Sequence, residues 1–409
     1  MTAAPGTTNR GASVDETLVL LAANICPLDT QPMSLGEAGG RVLREPVRAP
    51  EDQPPFDRSS VDGYAVRLDD DSSRFCVVDF VRAGEWKPRQ LQRGQAVQIA
   101  TGGALPGDDL QVVMKEDVRV DGTEIALLRR ELERNIRFAG EDARAGSVLI
   151  SEGTILSPGA LALLASVGCV RPLVTRQPRV LHVATGNEIV PPDQAPQRGQ
   201  IRDSNSTLVR AFFSQWRVEP AQLHVPEDEA QARSGIRHPA SGIEQCDLLL
   251  ISGGASVGEH DFTRHLLEEL GYTIHVSRTT ARPGKPLILA TRGAAVAFGL
   301  PGNPLAHFVC LNLYVRVALM ALLGFPPRPV FTRGVLAQDF QAKASSRETL
   351  CPARLALVNA GVELTPLPWR SSGDLTALAT ANALVRVPSG CGTMARGAAI
   401  EFVSTAPFA

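Results

Sequence analysis

The 409-residue chain lacks the features that mark several large functional classes. Lys and Arg form no basic run and the formal net charge is −2, so we expect neither a nucleic-acid nor a membrane partner. No apolar run is long and clean enough to span a bilayer; residues 305–323 come closest, but His307, Asn312 and Arg316 interrupt them. The first 13 residues lack the basic-then-apolar pattern of a signal peptide and are predicted to be a disordered lead-in.

Paired cysteines and common catalytic motifs are also missing. The seven cysteines are odd in number, scattered and never in a C-x-x-C pair, which predicts reduced, mostly buried thiols and a cytoplasmic protein. No Walker lysine loop and no G-x-G-x-x-G occur, which disfavours an ordinary nucleotidase or dehydrogenase. Without a G-x-S-x-G elbow, a Ser-His-Asp hydrolase is not supported either.

What the chain does contain is a succession of different sequence textures. Short alternating segments fill the first part, strands alternate with helices from Arg179 onward, and short β segments return after the Pro-rich residues 325–330. Alternating strands and helices imply a mostly parallel sheet with helices on both faces. We therefore predict a multidomain α/β plus β protein with a region at 12–177 carrying an inserted β-rich domain at about 50–145, an α/β domain at 178–324 and a C-terminal β domain at 331–407.

The chain is organised around residues 246–270. A short strand at 247–251 leads through SGGASVGE into a helix at 261–270. A glycine-rich turn from a strand into a helix points backbone N–H groups at one spot, which suits a phosphate; a plain tight turn is the alternative. Glu259 and Asp261, which a phosphate cradle alone would not need, favour a bridging divalent metal.

Four further loops occupy equivalent places in the α/β region. They are TGNE at 185–188, GQIRDSNS at 199–206, RPGKP at 282–286 and GLPGNP at 299–304. The first three have simpler interpretations as a turn, a helix cap and a solvated lysine, and GLPGNP forms a stiff backbone platform. Ligands of such a sheet bind at the carboxyl ends of its strands, so the loops together predict a Mg²⁺-assisted phosphate or pyrophosphate site. Its charged members are Glu188, Asp203, Glu259, Asp261 and Lys285.

The complete set of motifs resembles the MoeA-type molybdopterin molybdenumtransferases, the enzymes that insert molybdate into molybdopterin. The motifs that carry the resemblance occur in the family's order from Val14 onward: VDGYAVR, ATGGALP, NIRFAGED, ATGNEIV, GQIRDSNS, ISGGASVGEHDFT, RPGKP, GLPGNP and SSGDLTALATANALVRVP. The resemblance implies an elongated N-terminal region with an inserted β domain, a MogA-like molybdopterin-binding α/β domain with a mostly parallel sheet, and a small C-terminal β-barrel-like domain.

The resemblance also implies a reaction and its participants. Adenylyl-molybdopterin and molybdate would be the substrates, Mg²⁺ would assist, and molybdenum cofactor and AMP would be the products. The family works as an elongated homodimer whose site lies between the α/β domain of one subunit and the N-terminal β domain of the other. The molybdopterin adenylyltransferase and the recipient molybdoenzymes would be further partners.

Motif by motif, the resemblance assigns site residues. Those at catalytic positions are Asp62, Asp142, Glu188, Asp261 and Lys285. Those at substrate-binding positions are Thr101, Glu141, Asp203, Ser252, Gly253, Gly254, Ser256, Gly258, Arg282, Pro301, Gly302, Asn303, Ser371 and Ser372. The metal ligands would be Glu188, Asp203 and Asp261.

Several residues depart from the family's usual pattern. Arg282 stands where the family's K-P-G-K-P loop has its first Lys, and Asn187 stands where T-G-D-E has its Asp. Glu227 replaces the first Asp of an Asp-Asp pair, and Leu110 replaces an aspartate. Arg keeps the charge but changes the donor geometry, so oxyanion affinity can shift. Two alternatives therefore remain open: a molybdopterin adenylyltransferase, against which the additional domains argue, and a non-catalytic or tungstate-handling paralogue that acts as a cofactor carrier.

Overall fold

The computed structural model describes residues 11–130, 132–225, 242–253, 259–343, 345–359 and 361–405, with only the backbone described at 259–261. The chain divides into two compact units. One consists of Met1–Gln31 with Thr175–Ala409, and the other of Pro32–Val174.

The bounds of the described elements are as follows. The helices are α1 (Val14–Asn24), α2 (Leu35–Ala38), α3 (Pro158–Ser166), α4 (Asn205–Ser214), α5 (Glu259–Glu269), α6 (Pro304–Cys310) and α7 (Arg316–Leu322). The strands are β1 (Thr30–Pro32), β2 (Val47–Arg48), β3 (Arg58–Ser59), β4 (Gly63–Arg67), β5 (Arg74–Val81), β6 (Gln95–Ile99), β7 (Leu110–Met114), β8 (Val118–Asp121), β9 (Glu124–Leu127), β10 (Ile136–Arg137), β11 (Val148–Ile150), β12 (Leu173–Thr175), β13 (Val180–Thr185), β14 (Ile189–Val190), β15 (Ile201–Arg202), β16 (Ala221–Val225), β17 (Leu248–Ser252), β18 (Thr273–Val276), β19 (Ile288–Arg292), β20 (Ala295–Leu300), β21 (Thr332–Leu336), β22 (Phe340–Gln341), β23 (Thr349–Val358), β24 (Gly361–Pro366), β25 (Ala383–Val387), β26 (Thr393–Met394) and β27 (Ala399–Ser404).

The Pro32–Val174 unit contains the predicted β-rich insertion. Its main sheet has six strands in the order β7-β4-β6-β5-β9-β8, antiparallel except for the β5–β6 pair. Apolar side chains alternate between the two faces of β4, so that Ala65 packs with Val97 on one face and Tyr64 with Phe75 on the other. This double core explains why a sheet of such short strands is stable.

The second unit is built on a six-stranded sheet in the order β16-β13-β17-β20-β19-β18. Strands β16, β13, β17 and β20 are parallel, so the predicted mostly parallel sheet is confirmed. The register aligns Ala184 with Ser252 and Ser252 with Leu300, which brings the loops after β13, β17 and β20 to one edge. Strands β19 and β20 form an antiparallel hairpin, and β18 is a strand that the sequence reading did not predict.

Helices cover both faces of this sheet, as predicted. On one face Val180 and Leu250 pack with residues of α4, α6 and α7, and α1 joins the same core. On the other face Leu249 and Ile251 pack with Leu266 and Leu267 of α5. The predicted core helix after GLPGNP runs from α6 through a π-helical turn at Leu311–Val315 into α7.

This continuous helical stretch, Pro304–Leu322, covers most of the apolar run at 305–323, whose polar residues argue against a bilayer span. By length and composition it nevertheless meets the criteria for a membrane span, and it is the one such stretch among the residues described. Because 72% of its apolar window is buried inside the fold, it has the burial of a core helix.

The C-terminal β segments close into a barrel of five strands, β21-β24-β23-β25-β27, which confirms the predicted barrel-like domain. Leu364 and Val385 are completely buried in its core.

All seven cysteines are free, as predicted, but only Cys246, Cys310 and Cys351 are buried. The expectation of mostly buried thiols was therefore wrong, since Cys26 and Cys76 lie at the surface.

Candidate functional site

The described residues at the carboxyl ends of β13, β17 and β20, together with residues 201–205, line a cavity of about 240 Å³ at the carboxyl edge of the α/β sheet. The lining includes six of the predicted site residues: Glu188, Asp203, Ser252, Gly253, Gly302 and Asn303. Thr185, Ser204 and Asn205, which were not predicted as site residues, also line it. The parallel register brings these loops together, because all three strands end at the same edge.

Two glycines shape the turns at this edge of the sheet, and Gly253 lines the cavity itself. Gly253 has φ +136°, and a Cβ there would lie 2.1 Å from Thr185 Oγ1 and 2.3 Å from the Thr185 carbonyl oxygen. Gly186 has φ +140°, and its Cβ would lie 2.5 Å from Glu188 Oε2. Both positions favour glycine for their backbone angle, and Gly253 also for space, because its neighbours include the Thr185 backbone, whereas the neighbour of Gly186 is the end of the flexible Glu188 side chain.

Two acidic side chains are available at the cavity for a metal. Asp203 Oδ1 accepts a hydrogen bond of 2.9 Å from the Ser206 backbone N–H, so Asp203 also caps the first turn of α4, as its simpler interpretation proposed. Glu188 is the second carboxylate in the lining. Among the residues described, no group of three or more His, Cys, Asp or Glu side chains could hold a metal ion. The described part of the site thus offers two hard oxygen ligands.

A pair of buried histidines lies beneath the cavity. His182 Nε2 contacts Ser252 Oγ, and His307 Nδ1 lies 3.1 Å from the carbonyl oxygen of Pro301. The two rings are 6.3 Å apart and edge to face. Burial lowers the pKa of His182 to about 3, with a further contribution from His307, and burial lowers the pKa of His307 to about 4. Both rings are therefore neutral at physiological pH.

The SSGD loop of the C-terminal region meets the GLPGNP loop. The backbone N–H of Leu305 donates to the carbonyl of Ser372 at 3.0 Å, and a Cβ on Gly373 would lie 3.6 Å from Asn303 Oδ1. Ser371 Oγ accepts from the Gly373 N–H at 3.3 Å within the loop. The structure therefore brings the predicted residues of these two motifs together.

The RPGKP loop is attached to the C-terminal barrel. The Arg282 backbone N–H donates to the backbone carbonyl of Glu348 at 2.9 Å, and the Leu350 backbone N–H donates to the Arg282 carbonyl at 2.7 Å. The Arg282 guanidinium lies 5.7 Å from the centroid of the Trp369 ring, within reach of a cation–π contact. Lys285 is exposed. Trp369 is a contributor that the motif comparison did not single out.

The remaining predicted residues belong to the Pro32–Val174 unit. Asp62 accepts two hydrogen bonds of 2.8 Å from Thr101, through the backbone N–H and the hydroxyl, and lies 3.3 Å from Lys115 Nζ. The backbone hydrogen bond from Thr101, followed by those from its hydroxyl and from Lys115, lowers the pKa of Asp62 below its usual range. Lys115 was missed, although a lysine directly after the buried strand β7 was a visible signal.

Glu141 and Asp142 lie close to this group. Arg137 pairs with Asp142 and, at 3.2 Å, with Glu141. Strand β10 carries Arg137 alongside β3, and Ser59 of β3 accepts a hydrogen bond from the Gly102 N–H next to Thr101. The two acidic motifs of this unit therefore occupy one cluster of loops.

Some predicted residues cannot be placed. Gly254, Ser256 and Gly258 lie outside the described residues, as does Glu227. Glu259 and Asp261 lie at the start of α5, where only the backbone is described.

A larger cavity of about 830 Å³ is lined by residues 67–69, 88–91 and 106–110 of the Pro32–Val174 unit. None of the predicted site residues lines that cavity.

Comparison with known proteins gives a consistent result along the chain. Three family models match in order: the MoeA N-terminal region (domain I and II) at residues 12–168, a probable molybdopterin binding domain at 182–321, and the MoeA C-terminal region (domain IV) at 333–404. Together they span nearly the whole described chain.

Individual relatives agree with these family models. The molybdopterin molybdenumtransferases of Staphylococcus epidermidis and Staphylococcus aureus are 29% and 28% identical, each over 91% of this chain and 90% of theirs. Two crystal structures of the molybdopterin biosynthesis moeA protein from Pyrococcus horikoshii align over 97% of this chain and 100% of theirs, with TM-scores of 0.81 and 0.78 at 28% and 27% identity. The order of the motifs, the domain architecture and these matches together establish that the chain belongs to the MoeA family.

Proposed function

We propose that this protein is a transferase that inserts molybdate into adenylyl-molybdopterin, releasing AMP and forming molybdenum cofactor. The relatives named molybdopterin molybdenumtransferase support molybdenum insertion. The observation that carries the proposal is the cavity at the carboxyl edge of the α/β sheet, where Glu188 and Asp203 lie beside the Ser252–Gly253 turn. Carboxylates next to a backbone turn of this kind suit a metal-bound phosphate.

Mg²⁺ fits the donors that the cavity offers. It binds through carboxylates together with substrate phosphates. Glu188 and Asp203, which line the cavity, would hold it, with Asp261 as the third proposed ligand. When bound, it supplies neutralisation of the charge on the phosphate oxygens. Lys285, exposed on its loop, would bind phosphate as a point charge, and Arg282 would present a planar pair of donors to the oxyanion.

The second half of the site would come from another copy of the chain. We infer a homodimer in which Asp62, Thr101, Glu141 and Asp142 of the partner subunit face the cavity. These four residues form one cluster of loops within their own unit. The Asp62 carboxylate, whose pKa is lowered by its hydrogen bonds from Thr101 and Lys115, would help to position the molybdate that replaces the adenylyl group, together with the side chains of Glu141 and Asp142.

The other expectations follow from this assignment. We propose domains at 12–177, with the insertion at about 50–145, at 178–324 and at 331–407. We also propose a cytoplasmic protein that receives its substrate from the molybdopterin adenylyltransferase and passes its product to molybdoenzymes.

The proposal is tested by single-turnover release of AMP from adenylyl-molybdopterin with Mg²⁺ and molybdate, with tungstate, or with neither oxyanion. Release that depends on molybdate, with transferable cofactor formed, would support it. Preference for tungstate would indicate the tungstate-handling paralogue. Tight binding without release would indicate a carrier, and the assignment of the acids as catalytic would then be wrong.

A further inference from the structure

A line of polar side chains runs from the exposed Arg210 through the half-buried Gln222 to the buried His182 and the cavity. Arg210 on α4 donates to Gln222 Oε1 on β16, and Gln222 Nε2 donates to the carbonyl oxygen of Ser206 at 2.8 Å. The same Gln222 Nε2 lies 3.3 Å from His182 Nδ1 on β13. His182 Nε2 contacts Ser252 Oγ at the end of β17. His182 is completely buried, and Ser252 is 2% exposed.

The orientation of the Gln222 amide follows from its two outer partners. An arginine side chain can only donate, so the group that faces Arg210 must be the amide oxygen. A backbone carbonyl can only accept, so the group that faces Ser206 must be the NH₂. The Gln222 NH₂ therefore also faces His182 Nδ1.

The proton on His182 is fixed by the same logic. Because Nδ1 faces a donor, it must be the unprotonated nitrogen of the neutral ring, and Nε2 carries the hydrogen. The burial that keeps His182 neutral supports a single proton on the ring. Nε2–H then donates to Ser252 Oγ, so the serine hydroxyl hydrogen is not used in this contact.

We propose that Arg210, Gln222 and His182 form a relay that holds Ser252 as a hydrogen-bond donor toward the anion bound in the cavity. The proposal deepens the proposed function and rests on it for the identity of the anion. Ser252 lines the cavity, and acceptance from His182 Nε2–H leaves its hydroxyl hydrogen available for a ligand there. His182 acts through Ser252 and is a positioning residue. The predicted ligands of the metal take no part in the relay.

The first test needs no substrate. In protein labelled with ¹⁵N-histidine, the long-range ¹H–¹⁵N spectrum distinguishes the two neutral tautomers, and a His182→Gln variant identifies the signals of His182. We expect the hydrogen on Nε2 in the unaltered protein. A hydrogen on Nδ1, or a ring with both nitrogens protonated at neutral pH, would overturn the relay whatever the protein's activity.

The second test measures the dissociation constant of molybdopterin. Ser252→Ala should weaken binding about tenfold, the effect of one lost hydrogen bond to a charged group. Gln222→Met removes the donor to Nδ1 with little change in shape, so we expect a mixture of tautomers and weaker binding. In the Ser252→Ala background the same Gln222→Met change should have no further effect, because the hydroxyl that it orients is absent.

A matched control is Gln177→Met. Gln177 Nε2 also donates to a backbone carbonyl, that of Arg217 at 2.7 Å, but it lies outside the relay. This variant should bind molybdopterin as the unaltered protein does. If Gln222→Met weakened molybdopterin binding equally in the unaltered protein and in the Ser252→Ala variant, the relay would be refuted. Absence of molybdopterin binding by the unaltered protein would instead contradict the proposed function, and the tautomer measurement would still decide the relay.

Discussion

Asp62 accepts both hydrogen bonds that Thr101 can offer it, from the backbone N–H and from the hydroxyl, each at 2.8 Å. These bonds stabilise the charged carboxylate, which is why the pKa of Asp62 is lowered. The contact joins residues that are 39 positions apart in the sequence. It therefore links two of the motifs by which the family was identified.

Removal of the hydroxyl should raise the pKa of Asp62. In Thr101→Val the backbone donor remains and the hydroxyl is lost, so the pKa should move toward its ordinary value. A lowered folded-state pKa gives stability that is present above the ordinary pKa and is lost as the pH falls through the lowered value. The proposed role of Asp62 needs its ionised carboxylate, so the acid limb of the AMP-release profile should also shift to higher pH. Carboxyl ¹³C titration should show the pKa of Asp62 moving in the same direction.

The exposed Thr123 in the same unit provides the control. Thr123→Val should leave the profile unchanged. Asp62→Ala should abolish turnover altogether, and turnover at the unaltered rate would remove Asp62 from the catalytic set.

The helix-capping contact of Asp203 and its proposed metal-binding role can be separated by substitution. Asn retains an oxygen that can accept from the Ser206 N–H, so Asp203→Asn keeps the helix cap and loses the charge. Asp203→Ala loses both and should lower the free energy of unfolding by about 1 kcal/mol. Both variants should need more Mg²⁺ for half-maximal AMP release, but only the alanine variant should melt earlier.

A control for the lost charge is Asp193→Asn, which changes an exposed residue outside the cavity lining. If Asp203→Asn had the Mg²⁺ dependence of the unaltered protein, Asp203 would be a cap without a metal role.

Gly253 should not tolerate a side chain. A Cβ would lie 2.1 Å from Thr185 Oγ1, and φ +136° is unfavourable for other residues. We expect Gly253→Ala to destabilise the protein by at least about 2 kcal/mol in urea unfolding and to weaken substrate binding. Gly392→Ala is the matched control, because no atom lies within 4 Å of the Cβ it would add. Equal stability of the two variants would contradict this account of the turn.

Arg282 should matter more for the oxyanion than for the pterin substrate. Lys in its place keeps the charge but loses the planar contact with Trp369. We expect Arg282→Lys and Trp369→Leu to raise KM for molybdate several-fold, with a smaller change in KM for adenylyl-molybdopterin. Arg354→Lys, at an exposed barrel position, should change neither constant. Equal changes in both constants would indicate general disruption of the site.

The salt bridge between Arg176 and Asp247 should make stability depend on pH. The two terminal guanidinium nitrogens of Arg176 each lie 2.7 Å from a carboxylate oxygen of Asp247, and the Arg179 N–H adds a third contact. Burial alone would raise the pKa of Asp247, but these hydrogen bonds outweigh it and the pKa is lowered. The stabilisation is therefore present at neutral pH and is lost as the pH falls through the lowered pKa.

Asp247→Ala leaves Arg176 without its main partner and should cost about 3 kcal/mol at neutral pH in urea unfolding. The difference from the unaltered protein should become smaller in acid. A difference that stays constant with pH would show that lost packing, and not charge, is responsible.

Much of the site could be predicted because its loops are marked locally. Glycine and proline follow strands of clear apolar character, and parallel strands bring such loops to one edge. The relay was not predicted, because the neutrality of His182 depends on helices packed over it from distant parts of the sequence. A histidine inside the otherwise apolar run VLHVAT was the only local signal.

Other details depend on pairings that local patterns do not encode. The same apolar segments could have formed parallel or antiparallel strands, and the hairpin of β19 and β20 followed from the short turn between them. Strand β18 has four residues, too few for a reliable alternation of apolar and polar side chains.

The two backbone hydrogen bonds at Arg282 have a consequence for how this protein can evolve. Because Glu348 and Leu350 hold the loop from the barrel, a fragment that ended before strand β23 would retain the carboxylates of the cavity but release Arg282. Selection on the loop that carries Arg282 therefore acts on the α/β sheet and on the C-terminal barrel together. An exchange of the C-terminal domain for another barrel would keep this loop in place only if the new barrel offered a carbonyl and an N–H at the positions of Glu348 and Leu350.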